Sequence, residues 1–341
     1  MSQAKTVNLD EISNKIWGFI RTNGDQVMPY IILLVMIVLI YISMPFANLL
    51  SLDWLGIKTD QSLSLILAAT GQSMVMMIQG VDLSIGGVIS LSNSISALYM
   101  GIFLGGSIIG IIAMVVLMAL MGFICGAING FLVVRFRVQP FIVTLATWSV
   151  WRGLALWVLP TDGGDPPNAF ISFTLSRPFG IPVSLLLIVL LLIFWGYLKN
   201  TRFGVSVYAL GSNEQSAYYN GINVNKIKIL VFSMSGMFSA LAGIFRTAQV
   251  ASGSPTAGNE FILLSLCASV VGGINIAGGR GGVPGTIVGC FIMKMLQDVL
   301  QFAGVSTYWT ALFQGILLIV VVTITSVNII FSRKRRMEVK V

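Results

Sequence analysis

Ten apolar runs, each near the length that crosses a lipid bilayer, decide what this chain can fold into. They fall at 28–48, 62–79, 86–103, 107–132, 140–158, 180–198, 228–248, 261–277, 283–303 and 308–331; a helical crossing takes roughly 20 residues. In lipid every backbone N–H and C=O needs an internal partner, so the crossings are helical. The runs lack the in-and-out alternation of barrel strands, which excludes a β-barrel. Only 9% of residues are charged, against about 25% in soluble domains. The chain therefore reads as an all-α integral membrane protein. The runs at 86–103 and 261–277 are short and broken by Gly and Ser, so eight to ten transmembrane helices are expected.

Charge placement tests the count, because cytoplasmic flanks collect Lys and Arg. With ten spans and both termini cytoplasmic, fifteen of the 20 Lys and Arg residues fall inside. Three fall outside, at Lys58, Arg177 and Arg246, and Arg152 and Lys294 lie within spans. The net charge of +8 is thus a topology signal and gives no reason to expect nucleic acid as a partner. The expected organisation is a cytoplasmic N-terminal segment, 1–27, a transmembrane domain, 28–331, and a basic cytoplasmic tail, 332–341. Residues 199–227 form the longest cytoplasmic loop. The first 26 residues are polar and mixed in charge, unlike a cleavable signal, so the first apolar run is expected to remain as a helix.

No histidine is present, and Cys125, Cys267 and Cys290 lie singly in apolar runs. Zinc-type spacing is absent, so no metal site is expected and the cysteines read as small buried hydrophobes. Pro160 to Gly180, containing TDGGDPP, reads as an outer surface loop rich in turn formers. Gly122, Gly126 and Gly130 repeat at helical spacing, which lets two helices approach closely in lipid. Two glycine-rich turns, GVDLSIGGV at 80–88 and GINIAGGRGGV at 273–283, resemble each other on the inner side, as an internal duplication would leave them.

The inner loop YALGSNEQSAYYNGINVNKIKI, 208–229, carries its own helix signals. Ser212 with Gln215 three residues on fits a capping box, and Gly221 supplies a left-handed stop. These predict a helix over 213–220 with Ser212 as its cap. Ala217, Tyr218 and Ile222 are then placed to dock on one side, with Asn213, Glu214 and Ser216 facing away. Physically the helix either lies at the lipid headgroups with its tyrosines as anchors or meets a soluble partner.

Ionisable groups at membrane depth each call for an explanation. Lys294 and Asp298 are spaced i,i+4 and can pair on one helix face, with Gln297 and Gln301 extending the stripe. The stripe serves a wet pathway or subunit interface, or it is a locally neutralised structural pair. Trp148 and Arg152 share a face of the fifth span, as a surface for sliding sugar hydroxyls or as packing with a snorkelling cation. Asp82 reads as a helix N-cap for residue 83 onward, as part of an inner gate, or as both. Asn93 and Asn129, alone in apolar helices, are expected to bond between helices.

Several segments resemble one family. Gln215-Ser216-Ala217 followed by Gly221 has the spacing of the E-A-A-x-x-x-G loop in membrane subunits of ATP-binding-cassette importers. The surrounding residues 201–229 look like the matching loop of the ribose, xylose and galactose permeases. QGVDLSIGGVISLS at 79–92, GAINGFLVVRFRVQPFIVTLATWSVWRGLA at 126–155, SGMFSALAGIF at 235–245 and VVGGINIAGGRGGVPGTIVG at 270–289 resemble it in the same order, over about 62–325. Gln215 and Ser216 stand where the family carries Glu and Ala. The resemblance implies a non-enzymatic permease subunit of the bacterial inner membrane. Its solute is a monosaccharide or similar small polar molecule, moved by alternating access. It implies that Ser212, Asn213, Glu214, Gln215, Ser216, Ala217 and Gly221 contact an ATPase subunit, and that a solute-binding protein and a second permease subunit are partners. No phosphate-cradling G-x-x-x-x-G-K-[ST] is present, so the chain is expected to bind no cofactor and ATP to be used by the partner. The rival readings are a secondary transporter driven by an ion gradient through Asp298 or Asp82, and a non-transporting scaffold.

Overall fold

The computed structural model describes residues 27–42 and 51–305, with isolated positions from 309 to 323. The expected N-terminal segment, the basic tail and most of the span at 308–331 lie outside the described residues. Among the described residues the regular elements are helical, apart from an isolated antiparallel bridge between Gly163 and Gly253. The helices are α1 (Val27–Ile42), α2 (Leu52–Met77), α3 (Ile85–Tyr99), α4 (Ile108–Phe136), α5 (Pro140–Val158), α6 (Asn168–Thr174) and α7 (Val183–Leu198). They continue with α8 (Arg202–Ser212), α9 (Glu214–Tyr219), α10 (Val224–Val250), α11 (Asn259–Val271) and α12 (Val283–Phe302). Four of these, α4, α5, α10 and α12, are long and apolar enough to cross a membrane. A fifth crossing is counted if Asn168–Gly180, which takes in α6, and α7, bent by 85° at a short break, form one broken span. The protein is an all-α, multi-helix integral membrane protein.

The centre of the fold is α2, buried without interruption from Ser62 to Met77 and packed by α7, α10, α11 and α12. It begins ten residues before its apolar run. Ser51 accepts from the Trp54 amide at 3.1 Å and caps it, and the polar first turns find partners on neighbouring helices. The expected outer loop 160–180 is also more structured than its turn formers suggest. It contains α6, with Phe170 and Thr174 buried, and the Arg177 guanidinium bridges Asp53 at the start of α2.

The glycine register is the α4–α10 contact. A Cβ on Gly122 would stand 2.3 Å from the Gly236 carbonyl oxygen, and one on Gly126 2.0 Å from that of Phe232. Only backbones without side chains meet this closely, which supplies the van der Waals packing that substitutes for apolar drive in lipid. Asn93 donates to Thr247 Oγ1 at 2.8 Å, the interhelical bond expected of it, while Asn129 donates to Ser84 Oγ at 2.7 Å in the turn ahead of α3 rather than to a helix. The runs at 86–103 and 261–277 form α3 and α11, both too short for a full crossing by length. In contrast, α5 rests on α3 and leaves its outer face open, with Trp157 81% exposed.

Candidate functional site

Two places gather the polar groups. At one end, α2, α10 and α12 line an open cavity of about 330 Å³. Lys294, Gln297, Asp298 and Gln301, at helical spacing on α12, all line it. Asp60 and Gln61 from α2, Arg246 and Gln249 from α10, and Leu175 just after α6 make up the rest of the wall. The expected i,i+4 pairing is corrected: Asp298 Oδ2 takes the Lys58 ammonium at 2.6 Å, with the side chains 19% and 13% exposed. Lys58 also donates to Gln61 Oε1 at 3.1 Å. The partner comes from α2 because the two helices cross there, a fact of tertiary packing that helix periodicity does not carry.

Arg246 reaches Glu260 at 3.0 Å and lies over the Phe261 ring at 5.9 Å. It also lines a second cavity of about 450 Å³, with Asn93, Ser252, Ser254 and Thr256 around it. The side chains of Asp60, Gln61, Arg246 and Gln249 were not expected at the site. The available signal was the polar start of α2, Lys58-Thr59-Asp60-Gln61, in register with the buried run that follows.

Trp148 and Arg152 do share a face, with the guanidinium carbon 5.5 Å from the Trp148 ring centre. They belong to α5 and line neither cavity. The Trp148 and Trp151 indole nitrogens and Arg152 Nε are buried without a hydrogen-bond partner among the described residues.

Asp82 is buried in the turn between α2 and α3. The expected N-cap is corrected: α3 starts at Ile85 with Ser84 ahead of it. Asp82 instead accepts from the Ser84 amide at 2.9 Å, the Ser84 hydroxyl at 2.6 Å and the Ser235 hydroxyl at 2.7 Å. With Asn129 on Ser84, the carboxylate ties this turn to α4 and α10.

The second place is the loop from α8 to α10. The predicted helix is present as α9, but its cap is Asn213, whose Oδ1 accepts from the Ser216 amide at 2.8 Å. Ser212 is corrected as the cap because its hydroxyl donates to the Tyr208 carbonyl at 2.9 Å and closes the last turn of α8. Gly221, at φ +80°, ends α9 as expected, and the Ile222 amide bonds back to Ala217 at 3.1 Å. Ala217 is buried and Ile222 packs on the core. Tyr218 is 67% exposed, so its expected docking is corrected: it faces outward beside Tyr219, as do Asn213, Gln215 and Ser216. Glu214 holds Lys228 at 2.7 Å and fixes α9 to the foot of α10. Burial keeps the Tyr208 phenol above its usual range, so it is a neutral donor to the Gly281 carbonyl at 2.8 Å.

Residues 59–322 match the family described as branched-chain amino acid transport system, permease component. The chain is 36% identical to the ribose import permease protein RbsC of Escherichia coli K12 over 75% of this chain and 80% of that one. It is 34% identical to the RbsC of Bacillus subtilis 168 over 89% and 94%. The D-allose transport system permease protein AlsC of Escherichia coli K12 is 32% identical over 77% and 80%. No solved structure matches. A membrane protein of packed, glycine-seamed helices that matches this family over most of its length belongs to it, and is the transmembrane permease component of an ATP-binding-cassette importer.

Proposed function

We propose that this permease carries a monosaccharide or similar small polar solute across the bacterial inner membrane by alternating access, driven by ATP bound to a separate ATPase subunit. The observation that carries the reading is the exposed, capped α9 at the position where the importer family couples to its ATPase. Ser212, Asn213, Glu214, Gln215, Ser216, Ala217 and Gly221 form the coupling segment, with Ala217 and Gly221 shaping the helix and the exposed side chains meeting the partner. The relatives named for ribose and D-allose support a sugar. So does a cavity whose amide and ionic groups can both donate to and accept from hydroxyls, in a volume at the lower end of ligand pockets, roughly 300–1,000 Å³.

In this reading ten spans place both termini in the cytoplasm, with the transmembrane domain at 28–331. Lys294, Gln297, Asp298 and Gln301 line the outer part of the path, Trp148 and Arg152 a further wall, and Asp82 the inner gate. A solute-binding protein delivers solute from outside, and a second permease subunit completes the pathway. Mild purification with identification of co-purifying proteins tests it. An ATPase present with the native chain and lost with Glu214→Arg and Ala217→Arg is the expected result. Uptake that stops on collapse of an ion gradient and needs no ATPase would establish the secondary transporter in its place.

A further inference from the structure

Three segments far apart in the chain meet beside α9: the end of α2, the end of α8 and the glycine turn that leads into α12. Gln79 Nε2 donates to the Gly211 carbonyl at 2.9 Å. The Gly279 amide donates to the Met77 carbonyl at 3.0 Å, and the Tyr208 hydroxyl to Gly281. The glycine backbones of the junction leave no room for a side chain. A Cβ on Gly211 would stand 1.8 Å from the Met77 oxygen and 2.6 Å from the Gly279 nitrogen. A Cβ on Gly278 would stand 2.7 Å from the Gly211 carbonyl oxygen. Gln79 itself sits at φ +63°, a left-handed conformation that side-chain-bearing residues seldom adopt.

Both helices that leave this junction reach the cavity at the other end. Along α2 the chain runs from Met77 to Lys58, about 29 Å at 1.5 Å per residue. Along α12 it runs from Val283 to Asp298, about 22 Å by the same rise. Lys58 and Asp298 are the pair that closes α2 onto α12. A shift of α9 that moved the end of α8 would reach α2 and the turn before α12 together through these three bonds, because packed interfaces switch between discrete arrangements rather than deform continuously.

The geometry points to Gln79 as a positioning residue that transmits movement of α9, through Gly211, to the Lys58–Asp298 end of α2 and α12. This rests on the coupling reading of α9. Among the three ties, its amide is the one that joins α8 directly to the residues following α2. The experiment that tests it needs no knowledge of the solute. Spin labels on Gln61→Cys and Gln301→Cys, on α2 and α12 at the cavity, report their separation in the complex with the ATPase subunit, without nucleotide and with ATP plus vanadate.

With Gln79 intact, the nucleotide shifts the distance distribution. Gln79→Glu fills the same space but cannot donate, and Gln79→Ala lacks the amide. Both are expected to reduce the shifted population ratio at least about fivefold, the low end of coupling between sites, while the ATPase still co-purifies and turns over ATP. A full response in Gln79→Glu overturns the inference alone, and loss of the ATPase from both variants overturns it by making Gln79 a docking residue. Should Gln79→Glu and Gln79→Ala fail to fold, Gln79→Asn, one methylene too short to reach the Gly211 carbonyl, carries the same test, and an unchanged response overturns the inference. No nucleotide response with Gln79 intact would bring down the coupling reading, and the inference with it.

Discussion

Lys58 and Asp298 stand 240 positions apart in the chain and meet at 2.6 Å where α2 crosses α12. Their charges are mostly withdrawn from solvent, so each depends on the other: a lone buried charge costs far more than a matched pair gains. The contact joins α2 to α12 beside the cavity that Asp298 lines.

Removing one partner is therefore expected to be worse than removing both. Asp298→Asn should destabilise the protein by up to about 3 kcal/mol, the lower end for a broken buried pair. The double variant Lys58→Met with Asp298→Leu should lose less. Thermal unfolding in detergent, read by fluorescence of a thiol-reactive dye, compares them. Equal losses for the single and double variants would show that the pair is already solvated.

The α4–α10 seam makes a prediction with an internal control. Gly126→Ala puts a methyl group where the Phe232 carbonyl lies 2.0 Å away, so the helices must separate. Overpacking of this kind costs about 1–3 kcal/mol. Gly196→Ala on α7 meets nothing within 4 Å and is expected to leave stability unchanged or slightly raised. The midpoint of thermal unfolding should fall for the first and hold for the second. The same midpoint in both would remove the seam from the account of stability.

Gln72 lies in the wholly buried part of α2, and both atoms of its amide lack a hydrogen-bond partner among the described residues. An unsatisfied buried polar group costs about 1–3 kcal/mol, and an apolar group of similar shape relieves it. Gln72→Met is thus expected to raise the unfolding midpoint. Its effect on uptake by reconstituted vesicles then separates two uses of the amide. Unchanged uptake marks it as dispensable, and lost uptake in a stabilised protein marks it as a group that transport needs.

Sequence pattern located the helices best where apolar length and punctuation agreed. α5 and α12 begin with Pro in the first turn and match their runs almost residue for residue, because proline costs nothing where the amide has no helical partner. The pattern misjudged α2, since its first ten residues look like a loop until Arg177 from the segment after α6, Asp298 from α12 and Ser184 from α7 pair with Asp53, Lys58 and Asp60. The same limit applies to the cavity. Periodicity aligned Lys294, Gln297, Asp298 and Gln301, but which helix faces that stripe is set by chain crossing. Asp82 could be singled out as a buried acid, yet its serine partner on α10 lies 153 positions away.

The cap of α9 gives a prediction in which neighbouring residues part company. Ser212 and Asn213 are both good capping residues by type, and only geometry separates them: Asn213 Oδ1 bonds the Ser216 amide, while the Ser212 hydroxyl is turned back to Tyr208. Asn213→Ala should cost about 1 kcal/mol of local helix stability. In a helix of only 6 residues, held by Ala217 and the Glu214–Lys228 pair, that loss falls on the ordering of the exposed face. Ser212→Ala removes a bond that α8 can spare, so the helix should hold. Amide hydrogen exchange over 213–221 is expected to accelerate in Asn213→Ala and to stay at the native rate in Ser212→Ala. Association with the ATPase should weaken in the same order, because a partner that recognises an ordered helix must then supply the lost ordering itself. Faster exchange in Ser212→Ala with none in Asn213→Ala would return the cap to Ser212 and shift the start of the coupling segment by one residue.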